Sequence, residues 1–308
     1  MIVSPLHLKP LKLGSVIGVV APAGQLDEQN LAKAVAYLTS NGYRVVYGDA
    51  IFRKHGYLAG TDEERADDIN TMFQRRDIDA IFCACGGYGS PRIASLLNYS
   101  LIKKHPKIFW GYSDITFLHV AIQQLTGLTT FHGPMLSSDL GTETRQDELK
   151  ELLAWLRAPS ALIYLAEEIL FHGTAHGKLI GGNLSLLVSS LGTPYEVDTD
   201  GAILFIEEID EEPYVIDRLL NQLKLAGKFA KVSAVILGHF NNCVAKNGRL
   251  SFTLNDLFIQ HIVPVGKPIL AGFNVGHCEP NDPMPIGAFC EVNTYDKTVV
   301  IKNPFTHD

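Results

Sequence analysis

Short apolar runs alternate with amphipathic segments through the first half of the chain. The runs predict buried strands, and the segments between them repeat apolar residues at the spacing of a helix face. The predicted strands are Val16–Val20, Arg44–Tyr47, Ala80–Cys85 and Lys107–Trp110, and the predicted helices are Gln29–Asn41, Asp62–Arg75, Ser90–Asn98 and Asp114–Thr126. This alternation predicts an α/β domain with a mostly parallel sheet flanked by helices. Ligands bind such sheets at the carboxyl ends of the strands.

The pattern weakens between residues 157 and 177, where Pro159, Gly173 and Gly177 interrupt it. It resumes at Leu179–Asn183, followed by a helix through Leu191. Beyond that point we predict strands at Ala202–Ile206, Val232–Leu237, Ile269–Phe273, Ala288–Val292 and Thr298–Ile301, and helices at Pro213–Leu225 and Leu254–His261. The sequence therefore predicts an N-terminal α/β domain over residues 1–156, an inter-domain crossover over 157–177, and a C-terminal α/β domain with β-rich closing strands over 178–308.

Composition narrows the class of protein. Hydrophobic residues make up 46% of the 308 residues and charged residues 19%, which is typical of a well-filled globular core. The net charge is −7 without a long basic block, so we expect no nucleic-acid partner. No apolar run is long enough for a membrane span, and residues 1–5 lack the features of a signal peptide. The chain has five cysteines, an odd number. Together with the lack of a signal peptide, this number indicates a reduced cytoplasmic protein.

The spacing of cysteines and histidines does not favour a metal site. Cys83 and Cys85 lie within an apolar run, which favours two core thiols on one face of a strand. No Cys-x₂-Cys pair accompanies them, so we do not expect structural zinc.

A serine follows the predicted strand Lys107–Trp110. Gly111 and Tyr112 separate this strand from Ser113, and a predicted helix begins directly afterwards. A strand-to-helix corner exposes a side chain and aims backbone N–H groups of the first helical turn at its surroundings. Ser113 is therefore either a nucleophile or a helix N-cap, for which serine is also favoured.

A nucleophilic serine needs a base and an acid that orients the base, and the second half offers both. His277 lies in a loop rich in glycine and proline; the alternative is an exposed loop histidine. Glu207 is the first polar residue after the apolar run of Ala202–Ile206, whereas Glu208 is interpreted as a solvated or helix-capping group. In the first half, His132 either lines a site or bonds the backbone there.

Motifs across nearly the whole chain resemble the LD-carboxypeptidase family of serine peptidases, which includes muramoyl-tetrapeptide carboxypeptidases and microcin C self-immunity peptidases. The matching segments occur in the family's order. They are Ala21–Gly24, Gly86–Arg92, Gly111–Asp114, His132–Pro134, Gly181–Leu184, Phe205–Glu208, Tyr214–Arg218 and Gly276–His277.

The resemblance implies a serine carboxypeptidase that hydrolyses an L,D-amide bond and releases a terminal D-amino acid from a murein tetrapeptide. It implies a homodimer that needs neither a metal nor an organic cofactor. The implied residues are a triad, an oxyanion hole of backbone N–H groups, and a substrate-binding set. The triad is Ser113, Glu207 and His277, and the oxyanion donors are Gly87 and Asp114. The substrate-binding residues are Tyr88, His132, Arg92 and Arg218.

Two departures from the family pattern bear on the substrate. Cys85 stands where the family commonly has arginine, and Glu208 stands where it often has aspartate. The first departure removes a positive charge near the implied site. Two alternatives stay open: a microcin-type immunity peptidase that cleaves an aminoacyl-nucleotide analogue, and an inactive sensor that binds muropeptides. The immunity peptidases tend to carry an aromatic-bearing loop between the halves, whereas residues 157–178 offer Tyr164 and Phe171 and no tryptophan.

Overall fold

The computed structural model describes residues 6, 8–142, 145–246, 248 and 250–305, so the N-terminal residues 1–5 considered above lie outside the described residues. The described residues divide into two compact units. The first is drawn from Met1–Ser160, Pro283–Pro285 and Asn303–Asp308, and the second from Ala161–Asp282 and Ile286–Lys302. None of the described helices has both the length and the hydrophobicity that crossing a bilayer requires.

The described strands, in chain order, are β1 (Val16–Val20), β2 (Arg44–Tyr47), β3 (Ala80–Cys83), β4 (Ile108–Gly111), β5 (Thr130–His132), β6 (Leu162–Leu165), β7 (Glu168–Phe171), β8 (Thr174–Asn183), β9 (Ile203–Ile209), β10 (Ala234–Asn241), β11 (Ile269–Ala271), β12 (Met284–Ile286), β13 (Phe289–Asn293) and β14 (Thr298–Ile301). The described α-helices are α1 (Glu28–Ser40), α2 (Asp62–Gln74), α3 (Ser90–Ile93), α4 (Tyr99–Lys104), α5 (Thr116–Thr126), α6 (Gln146–Arg157), α7 (Leu184–Ser189), α8 (Pro213–Leu225) and α9 (Leu254–His261).

The first unit contains a six-stranded sheet in the order β12-β5-β4-β3-β1-β2. The pairs formed by β1 with β2 and β3, and by β4 with β3 and β5, are parallel, which confirms the predicted mostly parallel sheet. Its helices begin where the sequence supplies caps. Asp27 accepts from the N–H of Asn30 at α1, and Thr61 and Glu64 form a reciprocal capping box at α2.

Helix lengths in this unit differ from the prediction in two places. The predicted helix Ser90–Asn98 is the short α3 followed by a 3₁₀ turn over Ala94–Leu96. The helix after Ser113 begins at Thr116, because Ser113–Ile115 form a 3₁₀ turn. Helices α4 and α6 were not predicted.

The second unit contains an eight-stranded sheet in the order β6-β14-β13-β8-β9-β10-β11-β7. Its two edge strands, β6 and β7, are consecutive in the chain and are separated only by Ala166 and Glu167. The N–H of Ala166 donates to the Lys297 carbonyl (2.8 Å), and that of Glu167 donates to the Ala271 carbonyl (3.1 Å). Lys297 directly precedes β14, the partner of β6, and Ala271 ends β11, the partner of β7. Residues Ala166 and Glu167, which we call the closing segment, therefore join the two edges of the sheet.

This closing segment lies within residues 157–177, for which the sequence predicts a crossover. The structure contains β6, β7 and the start of β8 there, and the sequence predicts none of these strands before residue 178. Each of β6 and β7 is four residues long and has no fully buried position. A short, half-exposed strand lacks the continuous apolar run that identifies a buried strand in a sequence.

Strand β8 approaches β9 unusually closely at Gly181. Its φ is +130°, and a Cβ added there would lie 1.9 Å from the Phe205 carbonyl oxygen. Two residues later, Asn183 pairs in register with Glu207. Glycine at position 181 is therefore required to hold β8 beside the strand that carries Glu207.

A buried carboxylate fixes the segment after β2 in the first unit. Asp68 on α2 accepts the N–H groups of Asp49 (2.8 Å) and Ala50 (3.0 Å). Burial raises the pKa of the Asp68 carboxyl to about 6, although both hydrogen bonds oppose the shift.

We expect Gly181→Ala to lower the free energy of unfolding by roughly 3 kcal/mol or more, because a backbone clash adds to an unfavourable φ. Gly201→Ala is the control for the unfavourable φ alone. Gly201 also has positive φ (+68°), but no atom lies within 4 Å of an added Cβ. The control should cost only about 1–2 kcal/mol. Urea denaturation followed by circular dichroism measures both values, and equal losses would contradict the role of the close approach.

We expect Asp68→Asn to gain stability relative to the wild type as pH rises. A carboxyl whose pKa is raised by folding contributes stability that is present below about pH 4 and is lost as pH rises through about 6. The difference in unfolding free energy between variant and wild type should therefore shift by up to about 3 kcal/mol between pH 4 and pH 7. Glu63→Gln, at an exposed position on the same helix, is the control. A difference that does not change with pH for Asp68→Asn would show that its carboxyl titrates normally.

Candidate active site

Ser113 occupies a sharp corner at the end of β4. Its φ is +62°, a left-handed conformation that is uncommon for serine. It is the first residue of the 3₁₀ turn, and neither that turn nor α5 has a side-chain N-cap hydrogen bond. Tyr112 and Ile115 hold the N-cap positions of the turn and of α5, so the N-cap alternative for Ser113 is wrong. A non-glycine residue held in this conformation two residues after a strand resembles the nucleophile elbows of serine hydrolases.

The turn Gly86–Gly89 lies directly against Ser113. A Cβ added at Gly86 would be 3.0 Å from the Ser113 Cβ and 3.2 Å from its Oγ. Gly87 and Gly89 have φ values of +99° and +131°, which side chains rarely adopt. The glycines therefore let backbone groups approach the serine hydroxyl, as a second oxyanion donor must.

The buried guanidinium of Arg65 holds the Gly86–Gly89 turn in place. Arg65 donates from Nη1 to the carbonyl oxygens of Gly89 (3.0 Å) and Pro22, and from Nη2 to Asp62 Oδ1 (2.5 Å). It thus ties together two loops at the carboxyl ends of β1 and β3. The sequence does not predict this role, since Arg65 fits the period of the helix. The available signal was an arginine on the apolar face of a helix.

Asp114, proposed as a backbone oxyanion donor, has a buried side chain. Its Oδ2 accepts the N–H of Ser90 (2.7 Å), and its carbonyl accepts the Ser90 hydroxyl (2.5 Å). Burial raises the pKa of the Asp114 carboxyl to about 6, despite the hydrogen bonds that favour the charged form. The side chain thus connects the serine corner to the start of α3.

A cleft of about 810 Å³ opens beside this corner within the first unit. Its lining residues are Gly24, Gln25, Gly56, Tyr57, Cys85, Gly86, Gly87, Tyr88 and Ser138. Two of the predicted residues, Gly87 and Tyr88, therefore line the same cleft. The half-exposed Tyr88 ring meets Tyr57 edge to face, with 5.7 Å between ring centroids.

Cys85 forms a neutral part of the cleft wall. Its Sγ lies 3.2 Å from the Gly24 carbonyl oxygen, and burial raises the pKa of the thiol to about 12. The thiol therefore carries no charge near neutral pH at the position where the family commonly has arginine.

The other predicted substrate-binding residues lie in different settings. His132 on β5 is fully buried, with its ring centroid 5.5 Å from that of Tyr112. Arg92 forms a bidentate ion pair with Asp62, at 2.9 Å from each of its two nitrogens. Neither residue is among those that line the cleft. Arg218 belongs to the second unit, where its guanidinium lies 5.9 Å from the Tyr214 ring centroid.

The second unit holds a histidine–carboxylate pair. Glu207, near the end of β9, is fully buried, and His277 Nδ1 lies 2.7 Å from its Oε2. Gly276 makes this approach possible, because a Cβ there would lie 2.6 Å from the same oxygen. The Gly276 N–H donates to Asn281 Oδ1 (2.9 Å), which holds the loop. The structure therefore brings together the predicted acid and base.

Glu208, next to Glu207, has a separate role. Its carboxylate accepts from Asn183 Nδ2 (2.6 Å) and from the N–H of Ser185 (2.8 Å). It therefore caps the N-terminus of α7. The helix-capping alternative is confirmed, and the solvated one is wrong because Glu208 is buried.

The described residues contain no group of three or more His, Cys, Asp or Glu side chains arranged to hold a metal ion.

Family models match both parts of the chain. The model described as the LD-carboxypeptidase N-terminal domain matches residues 17–133, and the model of the LD-carboxypeptidase C-terminal domain matches residues 176–292. Among curated proteins, the probable murein peptide carboxypeptidase of Bacillus subtilis (strain 168) is 48% identical over 299 residues, covering 96% of this chain and 93% of its own.

Solved structures share the whole fold. MccF in complex with glutamyl sulfamoyl guanosine aligns with a TM-score of 0.89 at 26% identity, over 98% of this chain and 100% of its own. The muramoyltetrapeptide carboxypeptidase of Oxalobacter formigenes aligns with a TM-score of 0.83 at 27% identity, over 95% and 100%. The family models together match more than half of the chain, and the chain belongs to the LD-carboxypeptidase family.

Proposed function

We propose that this protein is a serine carboxypeptidase that hydrolyses an L,D-amide bond and releases the terminal D-amino acid of a murein tetrapeptide. The observation that carries the proposal is the 2.7 Å contact between His277 Nδ1 and the fully buried carboxylate of Glu207. A buried carboxylate that orients an imidazole is the pairing that serine hydrolases use. The 48% identity to a probable murein peptide carboxypeptidase supports the substrate.

In the proposed reaction, Ser113 Oγ attacks the carbonyl carbon of the scissile amide. His277 accepts the serine proton at Nε2, since Glu207 engages Nδ1. Glu207 holds the ring in this tautomer and stabilises its charged form. The protonated histidine then donates to the leaving amine of the D-amino acid. Water, deprotonated by the same histidine, then attacks the acyl carbon, and the histidine returns that proton to Ser113 Oγ as the acyl–oxygen bond breaks.

The oxyanion that forms during attack needs hydrogen-bond donors in place beforehand. We assign this role to the backbone N–H groups of Asp114 and Gly87. The close approach of the Gly86–Gly89 turn to Ser113 supports the assignment. Loss of one such donor typically costs about 10²–10³ in rate.

A carboxypeptidase must also recognise the free carboxylate of its substrate. Cys85 is neutral, so the cation must come from elsewhere. Arg92 and Arg218 are our candidates, with Tyr88 and His132 as further substrate contacts. Since Arg92 is already paired with Asp62, its use would require a shared or exchanged ion pair. We further propose, from the family resemblance, a cytoplasmic homodimer that needs no metal or organic cofactor.

Cleavage of an aminoacyl-nucleotide analogue is the second candidate activity. The likeness to MccF, solved with glutamyl sulfamoyl guanosine, favours it. Against it, Tyr164 and Phe171 belong to the short closing strands β6 and β7, not to a long loop. Mass spectrometry of products from synthetic muropeptides and from an aminoacyl-adenylate analogue separates these activities. Release of D-alanine alone supports our proposal, cleavage of the analogue alone supports the alternative, and binding without cleavage supports a sensor.

We expect Ser113→Ala, Glu207→Gln and His277→Ala each to lower kcat by at least about 10³-fold, because the three groups act as one unit. Their combination should cost little more than one of them. The control is His261→Ala, which breaks a second histidine–carboxylate contact, His261 Nε2 to Asp217 Oδ1 at 2.6 Å, and should stay active. Steady-state kinetics on folded variants measures these effects. Near-normal turnover by Ser113→Ala would exclude the proposed mechanism.

We expect amidation of the terminal carboxylate of the tetrapeptide to lower kcat/KM by about tenfold or more, since a charge-assisted hydrogen bond is lost. Liquid chromatography of products from the free-acid and amidated peptides measures the ratio. Equal kcat/KM values would indicate a broader amidase instead of a carboxypeptidase.

A further inference from the structure

A single buried carboxylate organises the surroundings of Ser113. Asp139 lies in a π-helical turn over Leu136–Leu140, and only 5% of the residue is exposed. Its Oδ1 accepts from the Tyr112 hydroxyl (2.9 Å) and from Arg145 Nη1 (2.7 Å). Its Oδ2 accepts from the Met135 N–H (2.9 Å) and the Ser138 hydroxyl (2.7 Å). Single π turns of this kind occur frequently at functional sites.

Three of the four donors adjoin the serine or the cleft. Tyr112 directly precedes Ser113 in the chain, so its hydroxyl contact restrains the residue that leads into the left-handed corner. The Met135 Cε lies 3.4 Å from a Cβ built on Gly86, the glycine that touches Ser113. Ser138 lines the cleft beside Gly86 and Gly87. Asp139 therefore connects the corner, the packing behind the glycine turn and one wall of the cleft.

The fourth donor keeps Asp139 in place. Arg145 is buried and also donates to both carboxylate oxygens of Glu148, at 2.6 and 2.8 Å. Burial alone lowers the pKa of the Arg145 guanidinium, but the Glu148 hydrogen bonds and the Asp139 charge outweigh it and raise the pKa above its ordinary value. Such a buried ionic network contributes little net stability compared with apolar packing, yet it defines geometry strictly.

We propose that Asp139 is a positioning residue for hydrolysis at Ser113, acting through the Tyr112 hydroxyl on the serine corner and through Ser138 on the cleft wall. The proposal rests on the proposed function, in which Ser113 is the nucleophile. Small displacements of a nucleophile can cost about 10² in rate, so a rigid anchor one residue before Ser113 affects catalysis directly.

The test compares Tyr112→Phe, Asp139→Asn and their combination in the tetrapeptide assay. Tyr112→Phe removes one hydroxyl and keeps the ring, so we expect kcat to fall about tenfold while KM changes less than about twofold. Asp139→Asn should lower kcat by about 10² because it also weakens the contacts with Met135 and Ser138. Since Asp139→Asn also weakens the contact that Tyr112→Phe removes, the double variant should be slower than Asp139→Asn by clearly less than tenfold. Asp147→Asn, an exposed carboxylate on α6, is the control and should keep normal kinetics.

Thermal unfolding of each variant separates positioning from a purely structural role. The proposal requires the kcat losses in protein that is fully folded at the assay temperature. It is overturned if folded Tyr112→Phe keeps wild-type kcat, if the two substitutions are additive, or if the losses follow the unfolded fraction. Should Asp139→Asn fail to fold, Tyr112→Phe decides alone. Ser113→Ala in the same assay separates failure of this proposal from failure of the proposed function. If Ser113→Ala is inactive, the proposed function stands whatever the Asp139 variants show. If Ser113→Ala is active, both the proposed function and the role of Asp139 are overturned.

Discussion

The hydrogen bond between His277 and Glu207 is the interaction that most constrains the second unit. A fully buried carboxylate is costly by several kcal/mol unless it is paired, so Glu207 needs a donor at a fixed place. The chain supplies His277 from a loop that can approach only because residue 276 has no side chain. Gly238, on the neighbouring strand β10, must also lack a side chain, since a Cβ there would lie 2.6 Å from the carbonyl oxygen of Val275, which directly precedes Gly276. Two glycines on different elements thus let the loop that carries His277 lie close to β9 and β10.

In the first unit, the conformation of Ser113 and the close approach of the Gly86–Gly89 turn are the comparable constraint. Ser113 is held in an uncommon left-handed conformation, and the turn beside it can touch the serine only through Gly86. Two buried ionic groups stabilise this arrangement from different sides. Arg65 holds the carbonyls of Pro22 and Gly89, and Asp139 holds Tyr112 and Ser138. The strained corner is therefore maintained by contacts far apart in sequence.

Much of this arrangement could be predicted from the sequence because it follows local rules. The apolar runs identify β1 and β14 with their observed bounds, and the helices α8 and α9 likewise, since each combines a clear period with a clear start. Ser113 and Glu207 can be proposed as site residues from the sequence because each follows an apolar run at a strand end. The pairing of Glu207 with His277 relied on the family resemblance, as 70 residues separate the two positions.

What the sequence did not reveal depends on three-dimensional partners. Strands β6 and β7 have no buried face of their own, and only the backbones of β14 and β11 make them part of the sheet. Arg65 fits a helical period equally well as a surface or a buried residue. Asp139 carries no local signal of its contact with the serine corner, because that contact comes from Tyr112, 27 residues earlier in the chain.

The central claim is that Ser113 is a nucleophile activated by His277 and Glu207. A fluorophosphonate that reacts with activated serines tests this claim without assuming a substrate. Peptide mass spectrometry of the treated protein should show the adduct on Ser113, formed much more slowly in His277→Ala and Glu207→Gln. An adduct on a different residue, or equal rates of Ser113 modification in all three proteins, would contradict it.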